Sequence, residues 1–421
     1  MSFTYRKDIL DNGVRVVTES SKDAGSVALG FWVGVGASQE PPHLSGVSHF
    51  IEHMLFKGTK RRSSFQIANA LESVGGSIDA FAGRESTAYV SRCLAEHLRK
   101  AVAVTGDMLS NPAMEESAIE TEKRVVIEEI RNFEDTPEEV VHEHLARSVW
   151  KSDSMASPIL GSVDSINGLG RASIRSFFEA AYVAPNVIVA ASGKVNHREL
   201  VDYVDGSLTL PVTPGSIEVN SHGDALPRVF HDKREVSQCY ICLGAEGVPY
   251  AERRRYPAML LSILLGGGMT SRLFQEVRER HGLAYSVYCS CEFYRRTGIF
   301  LIFLAVDPKK ARKAVRRVAT ELRRFKRDGV TRTELRGAKR QLKGSMVLGL
   351  ESTSARMTRL ARHEFYLQDW LPLEQSIKNV MAVTNGQLMA ESRQLLRPSR
   401  FSLVVVGPPW TDFPGKTDLV F

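Results

Sequence analysis

The chain has 421 residues, 43% of them hydrophobic and 24% charged, with a formal net charge of +7. That length predicts about two or three domains, the balance is globular rather than disordered or fibrous, and no apolar run is long enough to span a bilayer. The positive charge would suit a nucleic-acid binder, but the densest basic stretch, Arg312 to Asp328, spaces its cations around Val315, Ala319 and Leu322 like the solvated face of a helix, so no nucleic-acid partner is expected.

In chain order, MSFTYRKDIL shows neither a charged lead-in to an apolar stretch nor an Arg/Ser-rich presequence pattern. A cytoplasmic protein is therefore expected. GVRVVTES (13–20) and SVALGFWVGVGA (26–37) read as strands with a polar turn between them, which predicts antiparallel pairing of the two. SIDAFAGRESTAYV (77–90) alternates like a strand. HLRKAVAVTGDMLSNPAM and AIETEKRVVIEEIRNFED read as helices. The acidic NFEDTPEEVVHEH (132–144) reads as a helix start, with acids at the positive end of the dipole; its second reading is a receiver of basic substrate residues. Leu208 to Pro227, rich in Pro, Gly, Ser and Asn, reads as a linker near the midpoint.

The second half resembles the first. APNVIVAASGKV and RPSRFSLVVVGPP each run from Pro through a strand to glycine, and Gly193 and Gly407 lie 214 residues apart. FQIANALESVGGSIDAF and FQEVRERHGLAYSVY each pair a helix with a Gly-containing turn and a strand, at an offset of 209. Such agreement predicts a duplicated domain, with boundaries at 1–209 and 227–421 and a linker at 210–226. The predicted class is α+β, with helices covering one face of a mainly antiparallel sheet in each half. The five cysteines read as buried thiols of a reducing compartment. Cys239 and Cys242 look like half a zinc site, but three residues apart on a strand they face opposite sides. LLGGGMTSRLF lacks the lysine of a phosphate-binding loop.

The chemistry concentrates in SHFIEHMLFKGT (Ser48 to Thr59). On a helix, His49 and His53 lie one turn apart on one face, within reach of one ion. Glu52 borders that face and is a candidate general base. A helix that merely happens to carry two histidines is the plain alternative. Against it, the neighbours Val47, Phe50, Ile51, Met54, Leu55 and Phe56 predict a buried helix, where His and Glu need partners. A catalytic zinc takes three protein ligands and leaves a fourth position open, so one more is needed. Glu122, Glu128 and Glu129 follow on an acidic helix, and Glu122 and Glu129, seven apart, share a face.

His49-x-x-Glu52-His53 is the inverted zinc motif, and GVSHFIEHMLFKGT resembles the signature of the pitrilysin-type metallopeptidases, family M16. The similarity is to the branch containing the mitochondrial processing peptidase β subunit and its bacterial relatives. It extends through LDNGVRVVTE, GGSIDAFAGRESTAY, SPILGS, YVAPNVIVAASG and LGGGMTSRLFQEVRERHGLAYSV, nearly the whole chain. The resemblance implies two homologous domains enclosing a chamber like a clamshell. It implies one Zn²⁺ per chain on His49, His53 and Glu129, supported by Glu122, with Glu52 as base. It further implies that Arg278 and Tyr285 contact substrate, that Tyr285 helps stabilise the oxyanion, and that the edge strand at Asp79, Ala80 and Phe81 pairs with an extended peptide. The function implied is a zinc endopeptidase acting on short or unfolded peptides, in its narrower form a processing peptidase. The rival is a non-catalytic scaffold or regulatory subunit, but relatives of that kind lack part of the zinc set. The expected assembly is a homodimer, or a heterodimer with a similar subunit.

Overall fold

The structure, a computed structural model, describes residues 3–151, 153–213 and 228–421. Of the predicted linker, residues 214–226 lie outside these. The chain divides into two compact units. One comprises Met1–Arg131, Ser157–Ser221 and Gly349–Trp370; the other Asn132–Ala156, His222–Leu348 and Leu371–Phe421.

The first unit holds a six-stranded sheet of β1 (Thr4–Ile9), β2 (Arg15–Ser20), β3 (Ser26–Val33), β4 (Ser77–Ala82), β5 (Thr87–Leu94) and β6 (Val187–Gly193). Their order is β1-β2-β6-β3-β5-β4. Only β2 and β6 pair in parallel; the other neighbours are antiparallel. The second unit holds β7 (Val229–Lys233), β8 (Cys239–Glu246), β9 (Ala284–Phe293), β10 (Gly298–Val306) and β11 (Ser402–Gly407), ordered β7-β11-β8-β10-β9. Again one pair, β7 and β11, is parallel. Adding five to each strand number in β2-β6-β3-β5-β4 gives the second order, so the repeat in the sequence is a repeat of topology.

Two local expectations are corrected. GVRVVTES and SVALGFWVGVGA do not pair with each other, because the fully buried β6 enters between them. The amide of Ser21 donates to Gly193 O, and that of Lys194 to Ser26 O, which closes β6 into the gap. SIDAFAGRESTAYV is not one strand but the hairpin β4–β5. Its alternation breaks at Gly83 to Ser86, where the Gly83 amide donates to Ser86 O and the chain reverses.

Helices cover both faces of each sheet, not the single face expected. In the first unit, α1 (Val47–Leu55) buries Val47, Phe50, Ile51, Met54 and Leu55 in the core that contains Val27, Leu29 and Phe31 of β3. α2 (Glu116–Glu134) adds Ile119, Val126 and Ile130 to the same core. In the second unit, α3 (Pro137–Trp150) sets Val140, Val141, Leu145 and Trp150 against Cys242, Leu301, Phe303 and Val404. α4 (Arg255–Gly266) covers the opposite face with Leu260, Leu261 and Leu265. The remaining face of the first sheet takes α5 (Thr353–Leu367), whose Met357, Leu360 and Phe365 meet Ala28, Trp32 and Ile188. Each large side chain so buried contributes about 1.5–3 kcal/mol. The halves of the sequence thus exchange a helix: α3 comes from the first half and α5 from the second. Nothing in the period of either helix announces this, because an apolar stripe does not say which sheet it covers.

The exchange leaves a trace in glycines. Gly30 of β3 and Gly244 of β8 lie 214 residues apart, the same offset as Gly193 and Gly407. A Cβ on Gly30 would first meet the Trp32 ring at 2.1 Å and then Met357 Sδ at 2.9 Å, and one on Gly244 would come 2.8 Å from both Leu145 Cδ2 and Phe300 O. In both sheets the exchanged helix packs against a strand that has no side chain at that point.

Cys239 and Cys242 enter different cores, and all five cysteines are unpaired. The basic helix Ala311–Asp328 buries Val315, Ala319 and Leu322. Several of its cations are spent within their own unit: Arg312 and Arg316 pair with Asp418, and Arg317 with Glu276. Among the described residues no helix is long and apolar enough to cross a membrane.

Candidate metal centre

α1 begins where only glycine serves. Gly46 precedes it at φ 89, in the left-handed region. A Cβ there would also meet Leu160 O at 2.6 Å. Gly46 has no side chain to cap the helix, and a distant residue does so instead. The fully buried carboxylate of Glu40 accepts from Gly46 N at 2.6 Å and Ser48 N at 2.7 Å. It sits at the positive end of the helix, where anions are stabilised. Burial nevertheless dominates and pushes its pKa up to about 7, with the two amide bonds pulling the other way.

That shift fixes the sign of a stability effect. Below pH 4.5 the carboxyl is protonated in both folded and unfolded chains. Between 4.5 and 7 the unfolded chain releases the proton and the folded one keeps it, so folding becomes less favourable as pH rises. Above 7 the loss is complete, on the order of 3 kcal/mol. Glu40→Gln should therefore gain stability relative to the wild type as pH goes from 4.5 to 7.5, measured by urea unfolding. A flat difference between the two curves would place the ionisation elsewhere.

From α1, His49 and His53 project one turn apart, with ring centroids 4.6 Å apart. α2 brings Glu129 to them. Its Oε2 lies 3.5 Å from His49 Nε2 and 3.5 Å from His53 Nε2. Two turns earlier, Glu122 Oε1 lies 2.8 Å from His53 Nδ1. A carboxylate only accepts, so Nδ1 carries a proton, and it is Nε2 that must give up its own proton to offer a lone pair to a ligand. Lys57 Nζ stands 2.6 Å from the other oxygen, Oε2. Glu128, next to Glu129, points away and pairs with Arg131 at the surface.

The three ligand atoms lie within 4.8 Å of one another, and they form the one such group among the described residues. Tetrahedral zinc with bonds of 2.0–2.1 Å needs donors about 3.3–3.4 Å apart. The two 3.5 Å separations meet that need, and two imidazoles with a carboxylate suit zinc chemically. The histidines and carboxylates of the group hold one another's charge. The His49 and His53 rings, each 3.5 Å away, hold the Glu129 carboxyl far below its usual range. Burial would raise the pKa of Glu122, but its bonds with His53 and Lys57 prevail and lower it. Burial would depress the pKa of His53, but Glu122, Glu129 and Glu52 raise it to about 9. Glu52 is half-buried, and burial raises its pKa, against the nearby charge of His53 and His49 and with that of Glu129 and Glu122. It is the acid of this group that neither ligates nor braces.

The edge-strand positions are divided. β4 forms one edge of the first sheet, so one side of its backbone has no partner strand. Ala80 is half-buried and packs on the core that contains α1, whereas Asp79 and Phe81 lie exposed on the other face. The Phe81 ring meets Trp32 edge-on at 6.4 Å. Arg278 and Tyr285 belong to the second unit. Arg278 sits in a π-helical turn, Phe274–Glu279, with its guanidinium 5.6 Å from the Tyr285 ring centre. Tyr285 is the second residue of β9, the edge strand that corresponds to β4, and is 75% exposed. α4 follows β8 as α1 follows β3, but its sequence RYPAMLLSILLG carries no histidine and no acid. The second unit therefore repeats the scaffold without the metal donors.

Two site residues escaped the sequence reading. Glu40 reaches the helix through a loop, which leaves no periodic signal. Lys57 did leave one: it lies four residues after His53, on the same side as the histidine pair.

A helix carrying His49, Glu52 and His53, set against an acidic helix in a duplicated α+β fold, is an arrangement that suits a zinc peptidase. Comparison with known proteins agrees. The model for "Insulinase (Peptidase family M16)" matches residues 15–163, and that for "Peptidase M16 inactive domain" matches 168–342. The chain belongs to peptidase family M16. It is 34% identical over 403 residues to YmxG of Bacillus subtilis, named an uncharacterized zinc protease, covering 94% of this chain and 97% of that protein. It is 35% identical over 417 residues to an uncharacterized zinc protease of Streptomyces coelicolor, covering 96% and 90%. A protease structure from Helicobacter pylori superposes with a TM-score of 0.89 at 20% identity, over 97% of this chain and all of the other. A structure from Pseudomonas fluorescens described as a peptidase M16 inactive domain gives 0.88 at 22% identity, over 98% and 99%. The "inactive" label falls on the half whose counterpart helix lacks ligands.

Proposed function

We propose that this chain is a zinc-dependent endopeptidase that hydrolyses short or unfolded peptides, in its narrower form a processing peptidase. The observation that carries the proposal is the convergence of His49 Nε2, His53 Nε2 and Glu129 Oε2 beside a carboxylate, Glu52, left free for proton transfer. One zinc per chain, held by these three ligands, would polarise the peptide carbonyl and acidify water when bound. Glu122 fixes the His53 ring. Glu52 takes the proton from the attacking water and delivers it to the leaving amine, work that suits a carboxyl whose pKa is raised by burial. The open edge of β4 at Asp79, Ala80 and Phe81 pairs with the backbone of an extended substrate, which favours peptides without fixed structure. Arg278 and Tyr285 contact substrate, and the Tyr285 hydroxyl donates to the oxyanion.

In this reading the two sequence halves, 1–209 and 227–421, are the repeated domains. The first holds the zinc donors and the second the Arg/Tyr pair. Four such domains make one chain in the longer enzymes that this sequence resembles, so a two-domain chain supplies the same set as a dimer. The assembly proposed is a homodimer, with a heterodimer with a similar subunit as its alternative. The five unpaired cysteines suit the reducing cytoplasm. A peptide-library digest read by mass spectrometry tests the function. Cleavage that stops with chelator and returns with zinc is expected; cleavage indifferent to chelator, or none from zinc-loaded protein, would sink the proposal.

A further inference from the structure

We propose that Lys57 is a positioning residue of the metal centre, fixing His53 through Glu122. The inference rests on the zinc site proposed above and extends it one contact further.

Glu122 is 2% exposed, yet it sits between two nitrogens. Oε1 is 2.8 Å from His53 Nδ1, and Oε2 is 2.6 Å from Lys57 Nζ. A carboxylate held at one oxygen only can swing about its terminal torsion, which is broad. Hydrogen-bonded at Oε1 and ion-paired at Oε2, where the Lys57 contact is close but outside hydrogen-bond geometry, it is restrained in plane, and so is the imidazole that donates to it. Lys57 also supplies the counter-charge that a buried carboxylate needs. Its position follows from the sequence. It lies four residues after His53, just past the end of α1, so histidine and lysine leave the same side of the chain and reach the same side chain on α2.

The plain alternative is an ordinary ion pair. Lys57 is 38% exposed, and such pairs are worth roughly 0–1 kcal/mol with no consequence elsewhere. Two observations argue for more. The partner is buried and acts directly on the ring of a metal ligand. In addition, the site has no second brace of this kind: His49 Nδ1 is buried without a hydrogen-bond partner among the described residues. Control of ring orientation therefore falls on the His53 branch, and Lys57 ends it.

The test is metal affinity of the full chain, with zinc alone as the probe and a chelator as competitor at fixed pH. Partners of metal-bound histidines typically contribute about 10–100-fold to affinity. Lys57→Met is expected to weaken zinc about tenfold or more, and to shift the visible spectrum of the cobalt-substituted protein. Lys57→Arg, which keeps charge and donor, should bind within a few-fold of the wild type. Because Lys57 acts through Glu122, Glu122→Gln with Lys57→Met should be no weaker than Glu122→Gln alone, a coupling that independent sites do not show. Zinc affinity of Lys57→Met within twofold of the wild type, with an unchanged cobalt spectrum, would reduce the contact to a surface ion pair. Additive loss in the double variant would also overturn the proposal. Failure of the wild type itself to bind zinc would instead overturn the metal site on which it rests.

Discussion

Glu52→Gln is expected to keep its zinc and bind peptide while turnover falls by about 10²–10⁴-fold, the usual worth of a general base. Gln matches Glu in shape, so the half-buried site keeps its packing, and the ligand atoms of His49, His53 and Glu129 are untouched. What is lost is the capacity to accept a proton. The ligand variants should behave in the opposite order. His49→Ala, His53→Ala and Glu129→Ala each leave two donors where zinc takes three from the protein, so each should lose most of its metal, and its activity with it. Metal content by elemental analysis, alongside kcat, separates the two classes. A Glu52→Gln enzyme with comparable turnover would mean another base. Full zinc retention in all three ligand variants would remove the metal centre.

The two pairs, His49 with His53 and Glu122 with Glu129, are legible because each follows helical spacing. His49 and His53 are four apart and Glu122 and Glu129 seven apart, so spacing alone defines the two faces. That the faces meet is a tertiary fact, supplied in the sequence only by family resemblance. The Glu40 cap could not be read, since its six-residue and eight-residue reaches to Gly46 and Ser48 run through a loop. The strands are legible as strands, but their pairing is not. β6 arrives from more than 150 residues away to separate β2 from β3, and a period of two specifies a face, not a neighbour. The helix exchange is hidden for the same reason. Leu145 and Met357 sit on apolar stripes that would suit either sheet, and only Gly30 and Gly244, read against the repeat offset, mark where each lands.

The proposed homodimer makes a quantitative prediction. Glu52→Gln and Tyr285→Phe, prepared separately, are each expected to be nearly inactive, the first for want of a base and the second for want of an oxyanion donor, whose loss typically costs about 10²–10³ in turnover. Equal amounts mixed under conditions that exchange subunits give half mixed dimers. If Arg278 and Tyr285 of one subunit complete the zinc site of the other, each mixed dimer has one site with both lesions and one with neither. Half the dimers with half their sites intact should restore activity toward a quarter of the wild type. Recovery requires that base and tyrosine come from different chains, because a site built within one chain would keep one lesion in every copy. Tyr285 is exposed at the start of an edge strand, where a conservative loss of one hydroxyl should leave the fold unchanged. Proven exchange with no recovery, or a fully active monomer by sedimentation, would show that the pair acts within its own chain or not at all.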